Sequence, residues 1–231
     1  MASRADAARR APRPGGAHLA RRNDPADLGV EANARLTGAT AAALLVLLAV
    51  EGITIPRIFP LLTLHVFIGM LLIPPVLLKM ATTSYRFARY YLGSPAYRRK
   101  GPPEPVLRLL GPVVILLTLT VLGTGVALVL RGGATLLRLH QVSFVLWFCA
   151  MAVHVLAHFL DTARLAPRDY YWRTRRQVVG AGLRQWTLAA ALAVGFLLGA
   201  LFIGQATTYK AQFVFVHHAA VTATAQGAAR R

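Results

Sequence analysis

Five long apolar segments constrain the fold of this chain more than any other feature of its sequence. They cover about 36–55, 60–82, 106–130, 136–160 and 186–206. Each is close to the ~20 residues that a helix needs to cross about 30 Å of hydrocarbon. Each span in lipid must satisfy its own backbone hydrogen bonds, so the segments are predicted to be helices. The sequence therefore predicts an all-α integral membrane protein with a bundle of about five transmembrane helices.

The charged residues indicate how these helices are oriented. The 231 residues include 26 Lys and Arg against 8 Asp and Glu, a formal net charge of +18. That excess would suggest a nucleic-acid partner for a soluble protein, but 56% of the residues are hydrophobic and only 15% are charged. Of the 26 basic residues, 19 lie in the N-terminal tail and in the loops 83–108 and 161–185. The positive-inside rule then predicts a multi-pass protein of the inner or plasma membrane, N-terminus inside and C-terminus outside, with no nucleic-acid partner.

The chain is predicted to have three parts. Residues 1–34 have no apolar period and are expected to form a disordered basic cytoplasmic tail. Residues 35–208 form the transmembrane domain, and 209–231 form a short external tail. The single cysteine, Cys149, excludes an internal disulfide and any thiolate-rich zinc or iron–sulfur site built by this chain alone.

Histidines inside the spans are the leading functional candidates, because polar groups at membrane depth are costly. His65 lies about five residues into the second span and His140 about four residues into the fourth, and both spans run from outside to inside. The two imidazoles are therefore predicted at similar depth in the outer leaflet. Two facing histidines on separate helices are what axial coordination of a haem iron requires.

A second level of candidates lies 14 residues further along each of these helices. At about 100° and 1.5 Å per residue, 14 steps return a side chain to within ~40° of the same face and move it about 21 Å along the axis. His154 occupies this position relative to His140, and His158 falls on the same stripe. The second span offers Lys79 at the corresponding position, followed by Met80.

This pattern resembles the membrane-embedded bacterial cytochrome b superfamily, whose di-haem domains serve as electron-transfer anchors. The resemblance covers roughly residues 36–165 and rests on His65, His140 and His154 as iron ligands. It implies a four-helix cytochrome-b-like core that holds b-type haem between histidines on parallel helices. It also implies a non-catalytic electron-transfer subunit of a membrane oxidoreductase, with quinone and an extracytoplasmic or membrane redox protein as partners.

Lys79 departs from the pattern of that superfamily. One haem, between His65 and His140, is predicted from the full histidine pair. Three outcomes stay open for an inner site. It holds no haem, or it holds a haem ligated by His154 or His158 with Lys79 or Met80, or it is adapted to a quinone or a proton.

Several residues near the outer pair fit a haem site but also have ordinary explanations. Gly69, one turn from His65, together with Gly123 and Gly125 would let a porphyrin approach the backbone, or would simply aid helix packing. Three arginines lie at the outer edge, where they would pair with haem propionates or simply be solvated: Arg57, Arg131 and Arg138. Glu51 would orient a ligand imidazole, move protons beside a quinol site, or lie in interfacial water.

Two alternatives without a cofactor remain at this stage. A small transporter or accessory protein would use Lys79, Glu51 and the histidines of the fourth span as a proton or ion path. A purely structural anchor would use its basic cytoplasmic loops to contact anionic membrane lipid. The sequence contains no dinucleotide or phosphate-binding glycine motif, so the chain is not expected to bind a flavin or nicotinamide.

Overall fold

Helices make up the described part of the structure, a computed structural model that covers residues 25–99, 101, 105–165 and 181–212. The long helices are α1 (Pro25–Thr54), α2 (Ile58–Tyr91), α4 (Pro105–Arg131), α5 (Ala134–Leu165) and α6 (Ala181–Leu201), with a short α3 at Pro95–Arg99. A 3-10 turn, Ile55–Arg57, joins α1 to α2. After a turn at Phe202, residues 203–212 are helical again and are called the C-terminal segment below. The predicted all-α class is confirmed for these residues, and the remaining parts of both predicted tails lie outside them.

Four helical stretches of the described chain are long and apolar enough to cross a membrane, so it has the character of a multi-pass membrane protein. The first, Leu28–Tyr91, is 64 residues long and contains both α1 and α2. These two helices are antiparallel, because side-chain bonds join them at both ends. Asn33 Nδ2 donates to the Thr82 carbonyl at 3.1 Å, and Thr54 Oγ1 lies 2.8 Å from His65 Nδ1. The first two predicted spans are therefore the two arms of one helical hairpin.

Helix α1 begins at Pro25, ten residues before the predicted start of the transmembrane domain. The early start has a packing reason, because Val30 is buried against Ala96 and Tyr97 of α3. Arg35 also donates to the Glu31 carboxylate one turn earlier on the same helix. A segment that lacks an apolar period of its own is thus held by contacts with a distant part of the chain.

A tight turn at Gly132 and Gly133 folds α4 and α5 into a second antiparallel hairpin. Both glycines have positive φ angles, +66° and +101°, which only glycine adopts without steric cost. The Gly132 N–H donates to the Leu128 carbonyl at 2.8 Å and closes the end of α4. Deeper in the hairpin, Trp147 Nε1 donates to Thr118 Oγ1 at 2.9 Å. This turn fixes the register in which α5 faces α4.

Helix α6 packs tightly against α2, so the fifth long helix belongs to the bundle. A Cβ at Gly195 would collide with the Leu71 carbonyl oxygen, and one at Gly199 would lie 2.8 Å from the Phe67 ring. The C-terminal segment continues the contact, with fully buried Ala206 packed against Leu62, Val66 and Met70 of α2. The fifth predicted span is therefore packed directly on the second.

Candidate cofactor site

His65 of α2 and His140 of α5 meet at the end of the bundle where the two hairpins turn. Their ring centroids are 6.4 Å apart, and the ring planes are inclined at 77°. Each histidine lies within two turns of the start of its helix, at Ile58 and Ala134 respectively. The structure thus brings together the two residues that the sequence predicts at matched depth.

His65 is held from α1 by two oxygen atoms. Its Nδ1 lies 3.0 Å from Glu51 Oε1 and 2.8 Å from Thr54 Oγ1. The Thr54 hydroxyl donates to the Glu51 carbonyl at 2.6 Å, so its oxygen accepts from the imidazole. A hydrogen on Nδ1 satisfies both contacts, and Nε2 then carries the free lone pair. The sequence left three possible roles for Glu51, and the contact with an imidazole that one of them requires is present at His65.

His140 is held in the same tautomer by α4. Its Nδ1 lies 3.1 Å from the Val121 carbonyl oxygen and 3.2 Å from Thr124 Oγ1. A carbonyl oxygen only accepts hydrogen bonds, so the imidazole donates through Nδ1. Histidines that ligate metals typically donate their other ring N–H to a carboxylate or a carbonyl in this way. Both rings therefore offer Nε2 as the ligand atom.

The spacing of the two rings fits the axial ligands of one iron. A metal–imidazole bond is about 2 Å long and its nitrogen lies about 1 Å from the ring centroid, so two opposed imidazoles have centroids about 6 Å apart. The observed 6.4 Å meets that requirement. Among the described residues, α5 packs mainly on α4 and α1, whereas α2 packs on α1, α6 and α4. Helices α2 and α5, which carry the two histidines, therefore have little direct contact. No cluster of three or more His, Cys, Asp or Glu residues suited to a bare metal ion occurs in this part of the chain.

Glycines lie beside both parts of the pair. A Cβ at Gly125 would lie 3.0 Å from His140 Cε1, closer than ordinary van der Waals contact, so the ring occupies space that only glycine leaves open. A Cβ at Gly69 would lie 3.7 Å from Glu51 Oε1, an ordinary contact. Gly69 therefore faces α1, whereas Gly125 is required for the observed position of a candidate ligand.

The three arginines that the sequence predicts at the outer edge are exposed at the same end of the bundle as the histidine pair. Arg57 lies in the 3-10 turn, Arg131 ends α4, and Arg138 lies in the first turns of α5. Their exposure suits either propionate pairing or simple solvation, the two readings that the sequence leaves open.

The inner candidates are arranged differently. Lys79 Nζ donates to the Thr37 carbonyl of α1 at 3.1 Å, so its amine is directed at backbone. Met80 and His154 are half-buried on α2 and α5. His158 lies outside the residues whose side chains are described.

Sequence reasoning missed Thr54 and Thr124, which contact the two candidate ligands. Each pairs with a histidine across a helical hairpin, and the relevant offsets are 11 and 16 residues. Which residue faces each histidine depends on the register of two antiparallel helices. The lengths of apolar segments predict that register only to within a few residues. Comparison with family models, with curated proteins and with solved structures returned no match.

Proposed function

We propose that this protein is a membrane b-type cytochrome that transfers electrons between quinone or quinol in the bilayer and a partner redox protein. The observation that carries the proposal is the pair His65–His140, 6.4 Å apart, with both Nδ1 atoms held by oxygen acceptors. The resemblance of the histidine pattern to the cytochrome b superfamily supports it. When bound, haem supplies reversible one-electron chemistry.

The residues of the chain have separable roles in this proposal. Nε2 of His65 and of His140 would hold the iron, and Glu51 and the Val121 carbonyl orient the two rings. The apolar surfaces of the long helices keep water from the site, which contributes to its redox potential. With the N-terminus in the cytoplasm, the histidine pair lies toward the outer leaflet. The partner protein is then an extracytoplasmic or membrane protein that docks at this end, and the chain is its electron-transfer subunit.

The number of haems per polypeptide tests the proposal most directly. Full-length protein purified from haem-supplemented cells is expected to show a reduced-minus-oxidised difference spectrum of b type. A pyridine haemochrome assay is expected to give one haem per chain, because only one histidine pair is assembled among the described side chains. A colourless protein contradicts the proposal. Two haems per chain would assign the inner site to His154 or His158.

The transporter alternative has its own measurable outcome in the same preparation. Lys79 and His65 are 14 residues apart on α2, which is about 21 Å along the helix axis. Lys79 bonds to the α1 backbone, whereas Glu51 bonds to His65. Protein that binds no haem yet moves protons into liposomes would favour a proton path over a cytochrome.

Gly125→Ala is expected to weaken haem binding while the protein stays folded. The new methyl group would lie 3.0 Å from His140 Cε1, so the ring must move by a few tenths of an ångström. Disturbing the orientation of a metal ligand costs about tenfold or more in affinity. The measurement is haem retention during dilution of the purified protein. Gly111→Ala is the control, because it lies on the same helix about 21 Å along the axis from Gly125 and a Cβ there meets nothing within 4 Å. Equal haem retention by both variants would contradict the prediction.

A further inference from the structure

Among the described residues, Glu51 is the acidic group that contacts a candidate ligand, and it is largely buried. Its side chain is 14% exposed, at the last turn of α1. Oε1 contacts His65 Nδ1, while Oε2 is buried with no hydrogen-bond partner among the described residues. Burying a carboxyl group is costly unless its interactions compensate. The contact with His65 is therefore the interaction that accounts for a carboxyl group at this place.

The two candidate ligands differ in what holds them. His65 faces an acidic side chain, whereas His140 faces a backbone carbonyl and a threonine hydroxyl, both neutral. A carboxylate is a stronger hydrogen-bond acceptor than a neutral oxygen. It draws the Nδ1 hydrogen more strongly and makes Nε2 a better electron donor. His65 is thus the stronger of the two donors.

We propose that Glu51 is a positioning residue that lowers the reduction potential of the group held by His65 and His140. The inference rests on the proposed function, since it concerns the potential of the bound haem. Electron donation through Nε2 and the negative charge beside His65 both favour the oxidised, more positively charged state. At His140 the charge has no counterpart among these contacts and the electron donation is weaker, so the potential depends more on α1 than on α4.

Glu51→Gln tests this inference, because it removes the charge and keeps a side chain of nearly the same shape. The midpoint potential of the full-length protein in detergent is measured by spectroelectrochemical titration. The oxidised-to-reduced ratio at a fixed electrode potential is expected to fall about tenfold, which for one electron is an upward shift of about 59 mV. Glu31→Gln is the matched control, because it removes an acidic charge from the same helix 20 residues away and should leave the potential unchanged.

Glu51→Asp separates charge from packing. It keeps the carboxylate with a shorter reach, so its potential is expected to lie between those of the wild type and Glu51→Gln. Equal shifts in both variants would show a packing effect and overturn the inference, as would a haem-loaded Glu51→Gln protein with wild-type potential. If Glu51→Gln loses its haem, the inference depends on Glu51→Asp, and an unchanged potential there overturns it. Wild-type protein without haem overturns the proposed function instead, so the two failures are distinguishable.

Discussion

Purified His65→Ala and His140→Ala proteins are each expected to contain little or no haem and to lose the b-type difference spectrum. The two rings are 6.4 Å apart, and each supplies one of the two Nε2 atoms that the proposed site requires. Removing either would leave the proposed group with one of its two protein ligands, and no second pair among the described side chains replaces it. The effect is expected to be as large for one variant as for the other, because in the proposed site both histidines would hold the same iron.

His154→Ala is the matched control for the ligand variants. It removes an imidazole from the same helix as His140, 14 residues away, or about 21 Å along the axis. Its haem content at the outer site is expected to equal that of the wild type. Full haem retention by both His65→Ala and His140→Ala would contradict the proposal that these two histidines hold the haem. Loss of haem in all three variants would show that the ligand set extends beyond the outer pair.

Gly195→Leu is expected to destabilise the whole bundle and leave the protein aggregated or poorly monodisperse in detergent. Even a Cβ at this position would collide with the Leu71 carbonyl oxygen, and backbone cannot move aside as a flexible side chain does. Helices α2 and α6 must therefore separate. Overpacking costs about 1–3 kcal/mol in ordinary cores and occasionally more, and a clash with backbone belongs to the upper end of that range. Thermal unfolding monitored by size-exclusion chromatography measures the effect.

The Gly195→Leu prediction concerns the packing of α6 on α2 and not the histidine pair. Leu71 and Phe67 lie on a face of α2 roughly opposite His65, since six and two steps of about 100° separate them. Gly195→Leu is therefore expected to disturb helix packing without contacting His65. Gly111→Ala in α4 is the control, because a Cβ there meets nothing within 4 Å, and its unfolding temperature should equal that of the wild type. A wild-type unfolding temperature for Gly195→Leu would contradict the observed α2–α6 packing.

The sequence was sufficient to predict the long helices and the meeting of His65 with His140. Hydrophobic length identifies a spanning helix, and equal distance from two turns at the same end of a bundle brings two residues to one depth. These arguments need no knowledge of side-chain contacts. The membrane class and the leading candidate pair therefore followed from segment lengths and positions.

The contacts that hold the site needed three-dimensional register. Thr54 and Thr124 are ordinary threonines in apolar helices until the hairpins bring them beside His65 and His140. The start of α1 also depends on a contact distant in sequence, between Val30 and α3. Gly195 likewise becomes important only through the α2 backbone that approaches it. In each case, the partner lies on another helix, and the periodicity of one segment carries no information about it.

The packing of α6 against α2 also has a consequence for synthesis of the chain. Among the described residues, the groups that hold the two candidate imidazoles at Nδ1 lie between Glu51 and Thr124, whereas α6 begins at Ala181. The ribosome therefore synthesises both candidate ligands and the groups that contact them before it synthesises α6, which packs against α2. A nascent chain that ends after α5 holds both histidines and the groups that orient them, while Leu62, Val66 and Met70 still lack Ala206 as their neighbour. The two candidate ligands are thus synthesised before the helix that packs on the opposite side of α2.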